Sequence, residues 1–149
     1  MAFHWYDGDG FDQIAKSHSE HPEALLMATE ASWEKKFWPE DYNYKDGSWK
    51  CGIGYAHYIL GDLNNGTSGW VDWNILLNTQ GGPNHVHNWI GAPMMSDDEN
   101  LYIHPQYYFM GHFSKYLVPG SKRIKSQVLN TKAYNGKGRD YGTCTEEDG

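Results

Sequence analysis

Residues 24–33, ALLMATEASW, decide the fold that we expect for this chain. The short apolar run 24–28 follows Pro22, and the stretch continues to one carboxylate, Glu30. A run of this length after a proline favours a fully buried parallel strand over a helix. A carboxylate at the end of such a strand is costly to desolvate. It therefore indicates either a site that needs the charge, or a structural ion pair or helix cap, and these residues alone leave both interpretations open.

Strand and helix patterns alternate on both sides of this stretch. We predict strands at residues 2–6 and 69–75, and apolar residues at helical spacing predict helices at 11–19, at 49–63 and after Pro105. This alternation is typical of parallel βα units. On the second helix we expect one stripe, formed by Ile53, Ala56, His57, Leu60 and Leu63.

The loop lengths indicate which kind of parallel sheet to expect. The loops after the second and third strands are long and rich in polar and aromatic residues, whereas those entering the strands are short. A (β/α)8 barrel shows this asymmetry because its active site is built from the loops at the carboxyl ends of its strands. A whole barrel needs about 250 residues, and this chain has 149. We therefore predict an α/β fold with about three βα units of such a barrel.

Charge and hydropathy exclude two classes of partner. The net charge is -7, and no basic stripe could neutralise phosphates, so we expect no nucleic-acid partner. No apolar run reaches about 18 residues, so we expect no transmembrane segment, and no signal-peptide pattern follows Met1. Cys51 and Cys144 lie far apart without a metal-binding spacing, and the sequence leaves their pairing open.

Aromatic residues make up 15% of the chain, including 7 Trp and 11 Tyr. Most such side chains fill hydrophobic cores. Indole faces also bind the apolar C–H face of a pyranose, so the excess fits a carbohydrate site equally well. Composition alone does not separate these two interpretations.

The predicted strands all end in polar or aromatic side chains, namely His4, Trp5 and Tyr6; Glu30 and Ser32; Trp73 and Asn74. In neighbouring parallel strands these ends converge on one rim. A carboxylate there, beside a tyrosine hydroxyl and between indoles, suits the nucleophile of a glycosidase.

Five segments carry a family resemblance: HWY at 4–6, TEAS at 29–32, GSWKCGIGYAHYILGDLNNGTSGWVDWN at 47–74, GGPNHVHN at 81–88 and QYYFMGHFSKYLVPGS at 106–121. Together they closely resemble the glucosylceramidases of glycoside hydrolase family 30, nearly continuously from about residue 2 to residue 129. The resemblance implies that residues 1–119 are the carboxyl-terminal part of a TIM-barrel catalytic domain. It also implies that residues 120–149 begin an all-β sandwich.

The resemblance assigns a role to each candidate site residue. Glu30 matches the catalytic nucleophile, and Tyr6 matches the tyrosine that hydrogen-bonds it. Trp73 matches a tryptophan that lines the glucose pocket. Further substrate-binding residues are implied at His4 in the HWY segment and, in the entrance loop, at Asn88 and Trp89.

The implied chemistry is retaining hydrolysis of a β-glucosyl bond through a covalent glycosyl-enzyme, with a second carboxyl group roughly 5–5.5 Å away as acid and base. No metal or cofactor is implied. The implied substrate is a glycolipid like glucosylceramide at a membrane surface, with a saposin-like activator protein as a partner. The implied location is lysosomal or secreted.

The chain departs from the family at one catalytic position. The family's acid/base glutamate lies in an Asn-Glu-Pro triplet, and the chain contains no such triplet. We expect the first half of the barrel upstream of Met1 and the rest of the sandwich beyond Gly149, and we expect the isolated chain to be inactive. Four other glutamates near the nucleophile are interpreted as surface charges: Glu20, Glu23, Glu34 and Glu40.

Two smaller departures concern neighbouring positions. Ser32 replaces a cysteine found in vertebrate members, as one small residue for another. His85 replaces a tryptophan in the GGPN loop, which affects the packing of the substrate entrance.

Several alternatives remain beside this interpretation. His85 and His87 have a spacing seen in metal sites, but no pattern places a third ligand, so we predict no metal site. Asp72, between two indoles, is expected to be a structural hydrogen-bond acceptor. Related activities within the family are those of xylanases, fucosidases and β-1,6-glucanases. Outside catalysis, the chain could be a carbohydrate- or lipid-binding remnant that folds alone.

Overall fold

A three-stranded parallel sheet organises the structure. The computed structural model describes residues 1–6, 8–35, 38–83 and 89–125. The sheet has the order β1 (Ala2–His4), β2 (Leu26–Glu30) and β4 (Thr67–Trp70), with β2 in the centre. In β2, Leu26 and Ala28 are buried and Glu30 follows at the same two-residue period. The predicted strand is confirmed, and Glu30 is its last residue.

Helices connect these parallel strands. α1 (Phe11–Glu20) joins β1 to β2, and α2 (Trp49–Asn64) lies between β2 and β4. Ser48 caps α2, because its hydroxyl accepts a hydrogen bond from the Lys50 backbone N–H at 3.2 Å. α3 (Pro105–Tyr116) begins with its proline in the first turn, where no backbone donor is needed.

Within the described ranges, five short strands lie outside the main sheet. β3 (Trp33–Glu34) pairs antiparallel with β6 (Ile90–Gly91). β5 (Leu76–Asn78), β7 (Met94–Ser96) and β8 (Leu101–Ile103) form a mixed sheet in the order β5-β7-β8. The long loop that we expected after the third strand instead contains paired strands, because short apolar runs between Leu76 and Ile103 pair with one another.

The core lies between the parallel sheet and α2. Its buried cluster comprises Trp33, Cys51, Tyr55, Tyr58 and Ile59. The indole of Trp5 packs against this cluster and contacts Tyr58 at 4.7 Å and Trp70 at 6.4 Å between ring centroids. Most of the aromatic residues near the sheet therefore fill the core, as one of the two interpretations held.

The predicted stripe on α2 was wrong. Leu60 is 50% exposed, and the buried face instead carries Cys51, Tyr55, Tyr58, Ile59 and Asp62. Both sets of residues recur at helical spacing. A prediction based on apolar residues favours the aliphatic set over one that contains tyrosine and aspartate. This face is buried because its tyrosine rings pack against Trp5 and its carboxylate, Asp62, hydrogen-bonds Trp70.

Some predictions fall partly outside the described residues. The predicted sandwich at 120–149 stays a prediction, since residues 126–149 are not described. Cys51 is fully buried, and Cys144 belongs to the same undescribed segment. Within the described residues, no helix is both long and apolar enough to cross a membrane.

Candidate active site

The candidate site lies at the carboxyl ends of β1 and β2. The two strands are parallel, and their register pairs His4 with Glu30 after a shift between Phe3 and His4. Both residues are the last of their strands. Their side chains therefore reach the rim on which the strand ends converge, as predicted.

Two side chains from one segment contact the Glu30 carboxylate. The Tyr6 hydroxyl donates a hydrogen bond to Glu30 Oε1 at 3.0 Å, and His4 Nδ1 lies 3.7 Å from the same oxygen. The rings of His4 and Tyr6 meet edge to face at 5.4 Å. The Glu30 side chain is 30% exposed, so it is oriented by neighbours and still reachable by a ligand.

The Tyr6 phenol stays a hydrogen-bond donor in this arrangement. Its hydrogen bond to Glu30 raises the pKa of Tyr6 above its usual value, with smaller contributions from burial and from the charges of Glu30 and Glu34. A phenol with a raised pKa is protonated throughout the acidic and neutral range. Tyr6 can therefore hold one carboxylate oxygen in place while the other reacts.

The contribution of Glu34 corrects one prediction. We interpreted Glu34 as a surface charge, but it lies half-buried in β3, and its charge contributes to the raised pKa of Tyr6. Glu20 and Glu23 match the prediction, with side chains 57% and 75% exposed. The segment between Glu30 and β3 is short, so the sequence could have indicated that Glu34 lies near the site.

Trp5 anchors the site from behind. It lies between His4 and Tyr6 in the sequence and packs on the opposite side, against the core. Its ring contacts Trp33 and Tyr55, each at 5.6 Å between centroids. Both residues that contact Glu30 are thus adjacent to a side chain fixed in the core.

The segment after β4 borders Glu30 on the other side. Backbone hydrogen bonds run from Val71 N–H to Ala28 O at 2.8 Å and from Trp73 N–H to Ala31 O at 3.0 Å. The half-buried Trp73 packs against a second core cluster that contains Leu77. The structure therefore places Trp73 beside the strand that carries Glu30.

Asp72 is the structural acceptor that we predicted, with an unexpected donor. Its Oδ1 accepts a hydrogen bond from the fully buried Tyr55 hydroxyl at 3.0 Å. Burial raises the pKa of Asp72 to about 8, although hydrogen bonds from Tyr55 and from the Trp73 backbone oppose this rise. The sequence pattern gave no signal for Tyr55 as the partner.

Trp89 contributes to a second surface near the site. Its ring is 45% exposed, and Lys35 Nζ lies 4.1 Å from its centroid. The Lys35 backbone N–H also donates to Trp89 O at 2.7 Å, which continues the β3–β6 pairing. Asn88, the other predicted residue of this loop, lies outside the described residues.

Two further features bear on the chemistry. Among the described residues, no group of three potential ligands could hold a metal ion, and His85 and His87 lie outside them. A cavity of about 390 Å³ opens between β1, α1 and α2 and includes Asp62 in its lining. Glu30 and Tyr6 do not line this cavity, but His4 and Trp5 do, so it adjoins the candidate site on the side of β1.

Comparison with known proteins decides the family. The family model described as "Glycosyl hydrolase family 30 TIM-barrel domain" matches residues 1–117. The chain belongs to glycoside hydrolase family 30. It is 36% identical over 129 residues to the lysosomal acid glucosylceramidase of Mus musculus, which covers 83% of this chain and 25% of that protein. It is 33% identical over 133 residues to a putative glucosylceramidase 4 of Caenorhabditis elegans, covering 87% and 25%.

Solved structures agree with this family 30 assignment. SrfJ from Salmonella typhimurium superposes with a TM-score of 0.67 at 36% identity, over 77% of this chain and 25% of that one. An endo-β1,6-glucanase shares the fold with a TM-score of 0.64 at 23% identity, over 80% and 26%. The chain thus spans about a quarter of the length of these relatives. The predicted α/β fold, part of a TIM barrel, is confirmed.

Proposed function

We propose that this chain is the nucleophile-bearing part of a retaining β-glucosidase of family 30, with Glu30 as the nucleophile. The observation that carries this proposal is the Tyr6–Glu30 hydrogen bond of 3.0 Å at the carboxyl end of the parallel sheet. A carboxylate held at that rim, and still 30% exposed, has the position that covalent glycosidase chemistry needs. Several relatives of the chain are named glucosylceramidases.

Glu30 acts in two steps in this mechanism. A Glu30 oxygen attacks the anomeric carbon while the bond to the leaving oxygen breaks, and that oxygen takes a proton from a carboxylic acid. Water then attacks the same carbon, gives its proton to that second carboxylate, and releases Glu30. Two inversions retain the β configuration.

The other site residues bind the sugar and orient the nucleophile. Tyr6 holds Glu30 by its hydrogen bond, and His4 approaches the same carboxylate oxygen. Trp73 offers an aromatic platform beside β2, and Asn88 and Trp89 contribute from the entrance loop. The second carboxylic acid comes from a part of the enzyme beyond this chain, since the chain has no Asn-Glu-Pro triplet. The isolated chain is therefore inactive under this proposal.

The substrate we propose is a glycolipid like glucosylceramide, in sphingolipid metabolism. The name of the mouse relative supports this substrate and a lysosomal location. A membrane surface and a saposin-like activator are further parts of the same proposal. An endo-glucanase activity is the second candidate, because an endo-β1,6-glucanase shares the fold.

The test compares hydrolysis by wild type and by two matched variants. The variants are placed in the natural gene product that carries this chain, and in a chimera in which the chain replaces the segment of the mouse enzyme that it matches. Glu30→Gln should lower kcat for a fluorogenic β-glucoside by at least about 1,000-fold. Glu23→Gln, whose side chain is 75% exposed, should match wild type.

The product and the substrate range complete this test. Proton NMR of fresh product should show the β anomer first, as retention requires. Glucosylceramide should be cleaved faster than a β-1,6-glucan, and the reverse order would favour the second candidate. Full activity in Glu30→Gln would rule out Glu30 as the nucleophile, and sugar binding without hydrolysis in both wild-type proteins would favour a binding remnant.

A further inference from the structure

A buried hydrogen bond links α2 to the strand ends around Glu30. Tyr55 is 0% exposed in the middle of α2, and its hydroxyl donates to Asp72 Oδ1 at 3.0 Å. The Tyr55 ring also meets the indoles of Trp5 at 5.6 Å and Trp70 at 5.4 Å. One side chain of the helix therefore contacts residues on both sides of β2.

The contacts with Trp5 and Asp72 lead to the two segments that border Glu30. Trp5 lies between His4 and Tyr6, and both of those side chains approach Glu30 Oε1. Asp72 lies between Val71 and Trp73 in the other flanking segment.

The Asp72 segment holds β2 by only a few backbone contacts. β4 ends at Trp70, and the segment continues with hydrogen bonds from Val71 to Ala28 and from Trp73 to Ala31. The acceptors of these two bonds, Ala28 and Ala31, lie on either side of Glu30 in the sequence. The buried Asp72 carboxylate accepts the Tyr55 hydrogen bond and so ties this segment to the helix layer.

We propose that Tyr55 and Asp72 are positioning residues that hold the Glu30 strand end between its two flanking segments. This inference rests on the proposed function of Glu30. Tyr55 and Asp72 act through the backbone, because Tyr55 is fully buried within the helix layer. A small displacement of a nucleophile lowers the chemical rate more than it lowers substrate affinity.

The test uses variants that keep the shape of the core. Tyr55→Phe and Asp72→Ala in the natural gene product and in the chimera should lower kcat about 10- to 100-fold with little change in KM. Asp72→Asn keeps an oxygen that accepts from Tyr55 and should restore most of kcat. The double variant Tyr55→Phe/Asp72→Ala should be no slower than the slower single variant, because both changes remove one link.

A matched control separates this link from general core damage. Tyr42→Phe removes a buried hydroxyl from the same core, and that hydroxyl has no hydrogen-bond partner among the described residues. It should keep wild-type kcat. Circular dichroism at the assay temperature establishes that each variant is folded.

The possible failures have different meanings. An active wild type with unchanged kcat in Tyr55→Phe would overturn the positioning role and leave Glu30 as the nucleophile. Additive losses in the double variant, or an equal loss in Tyr42→Phe or in Asp72→Asn, would also overturn it. An inactive wild type in both settings would contradict the proposed function itself.

Discussion

At the scale of single residues, the site is a carboxylate oriented by its nearest neighbours. The sequence predicted that Glu30 and Tyr6 would converge, because both follow strands of a parallel sheet and such strands end on one rim. The hydrogen bond between them confirms this proximity. Their catalytic roles stay predictions, as does the sugar platform at Trp73.

Other contacts could not be predicted from the sequence. The Tyr55–Asp72 bond joins residues 17 positions apart in different elements. Asp9 and His57 meet at 2.9 Å across 48 positions. Neither contact has a short-range pattern, since each depends on how the helices pack on the sheet.

Two buried carboxyl groups make stability depend on pH. Burial raises the pKa of Asp62 to about 7 and that of Asp72 to about 8. In the unfolded chain both groups ionise near their usual values, about 4. Between these values the folded protein binds more protons than the unfolded chain, so stability is greatest at low pH and falls as the pH rises through the folded pKa values.

We predict that Asp62→Asn flattens this dependence. The amide carries no proton that titrates, so the free energy of unfolding should fall less between about pH 5 and pH 8 than in wild type. Urea unfolding of the natural gene product at several pH values measures this. Asp12→Asn, at an exposed position in α1, should keep the wild-type slope. A steeper decline in Asp62→Asn would contradict the assignment.

At the scale of elements, close packing of α2 on α3 depends on a glycine. A Cβ at Gly52 would lie 2.5 Å from Phe109 Cδ2 and 2.9 Å from Pro105 Cβ. Gly111 in α3 is the opposite case, with nothing within 4 Å of its Cβ position among the described residues. Both glycines lie inside helices, but only Gly111 has free room for a side chain.

We predict opposite effects of alanine at these two glycines. Gly52→Ala should destabilise the protein by about 1–3 kcal/mol, because overpacking outweighs the gain in helix propensity. Gly111→Ala should be neutral or stabilising by up to about 1 kcal/mol. Chemical denaturation of both variants gives the comparison. Equal stability of the two would mean that the helices are not packed as described.

Element existence was more predictable than element faces or ends. The three helices that the structure describes, and their alternation with the parallel strands, follow from period and turn signals. The buried face of α2 could not be predicted in this way, because the burial of Tyr55, Tyr58 and Asp62 depends on their contacts across the core. The predicted strand 69–75 was also wrong in its bounds, since β4 covers Thr67–Trp70 and Asp72 turns toward the helix layer.

At the scale of the whole molecule, the chain is one part of a family 30 TIM-barrel domain. It spans about a quarter of the length of its relatives and carries a three-stranded parallel sheet. A retaining glycosidase needs two carboxyl groups on opposite sides of the sugar. Under the proposal, this chain provides the nucleophile, and the proton donor is supplied from outside it.

Trapping the covalent intermediate tests the central claim most directly. A 2-deoxy-2-fluoro-β-glucosyl fluoride loses fluoride to the nucleophile and leaves a glycosyl ester that hydrolyses slowly. After incubation with the natural gene product and with the chimera, proteolysis and mass spectrometry locate the ester. The account predicts a 2-fluoroglucosyl group on Glu30 that is absent from Glu30→Gln. A label on another carboxylate, or a label that persists in Glu30→Gln, would contradict it.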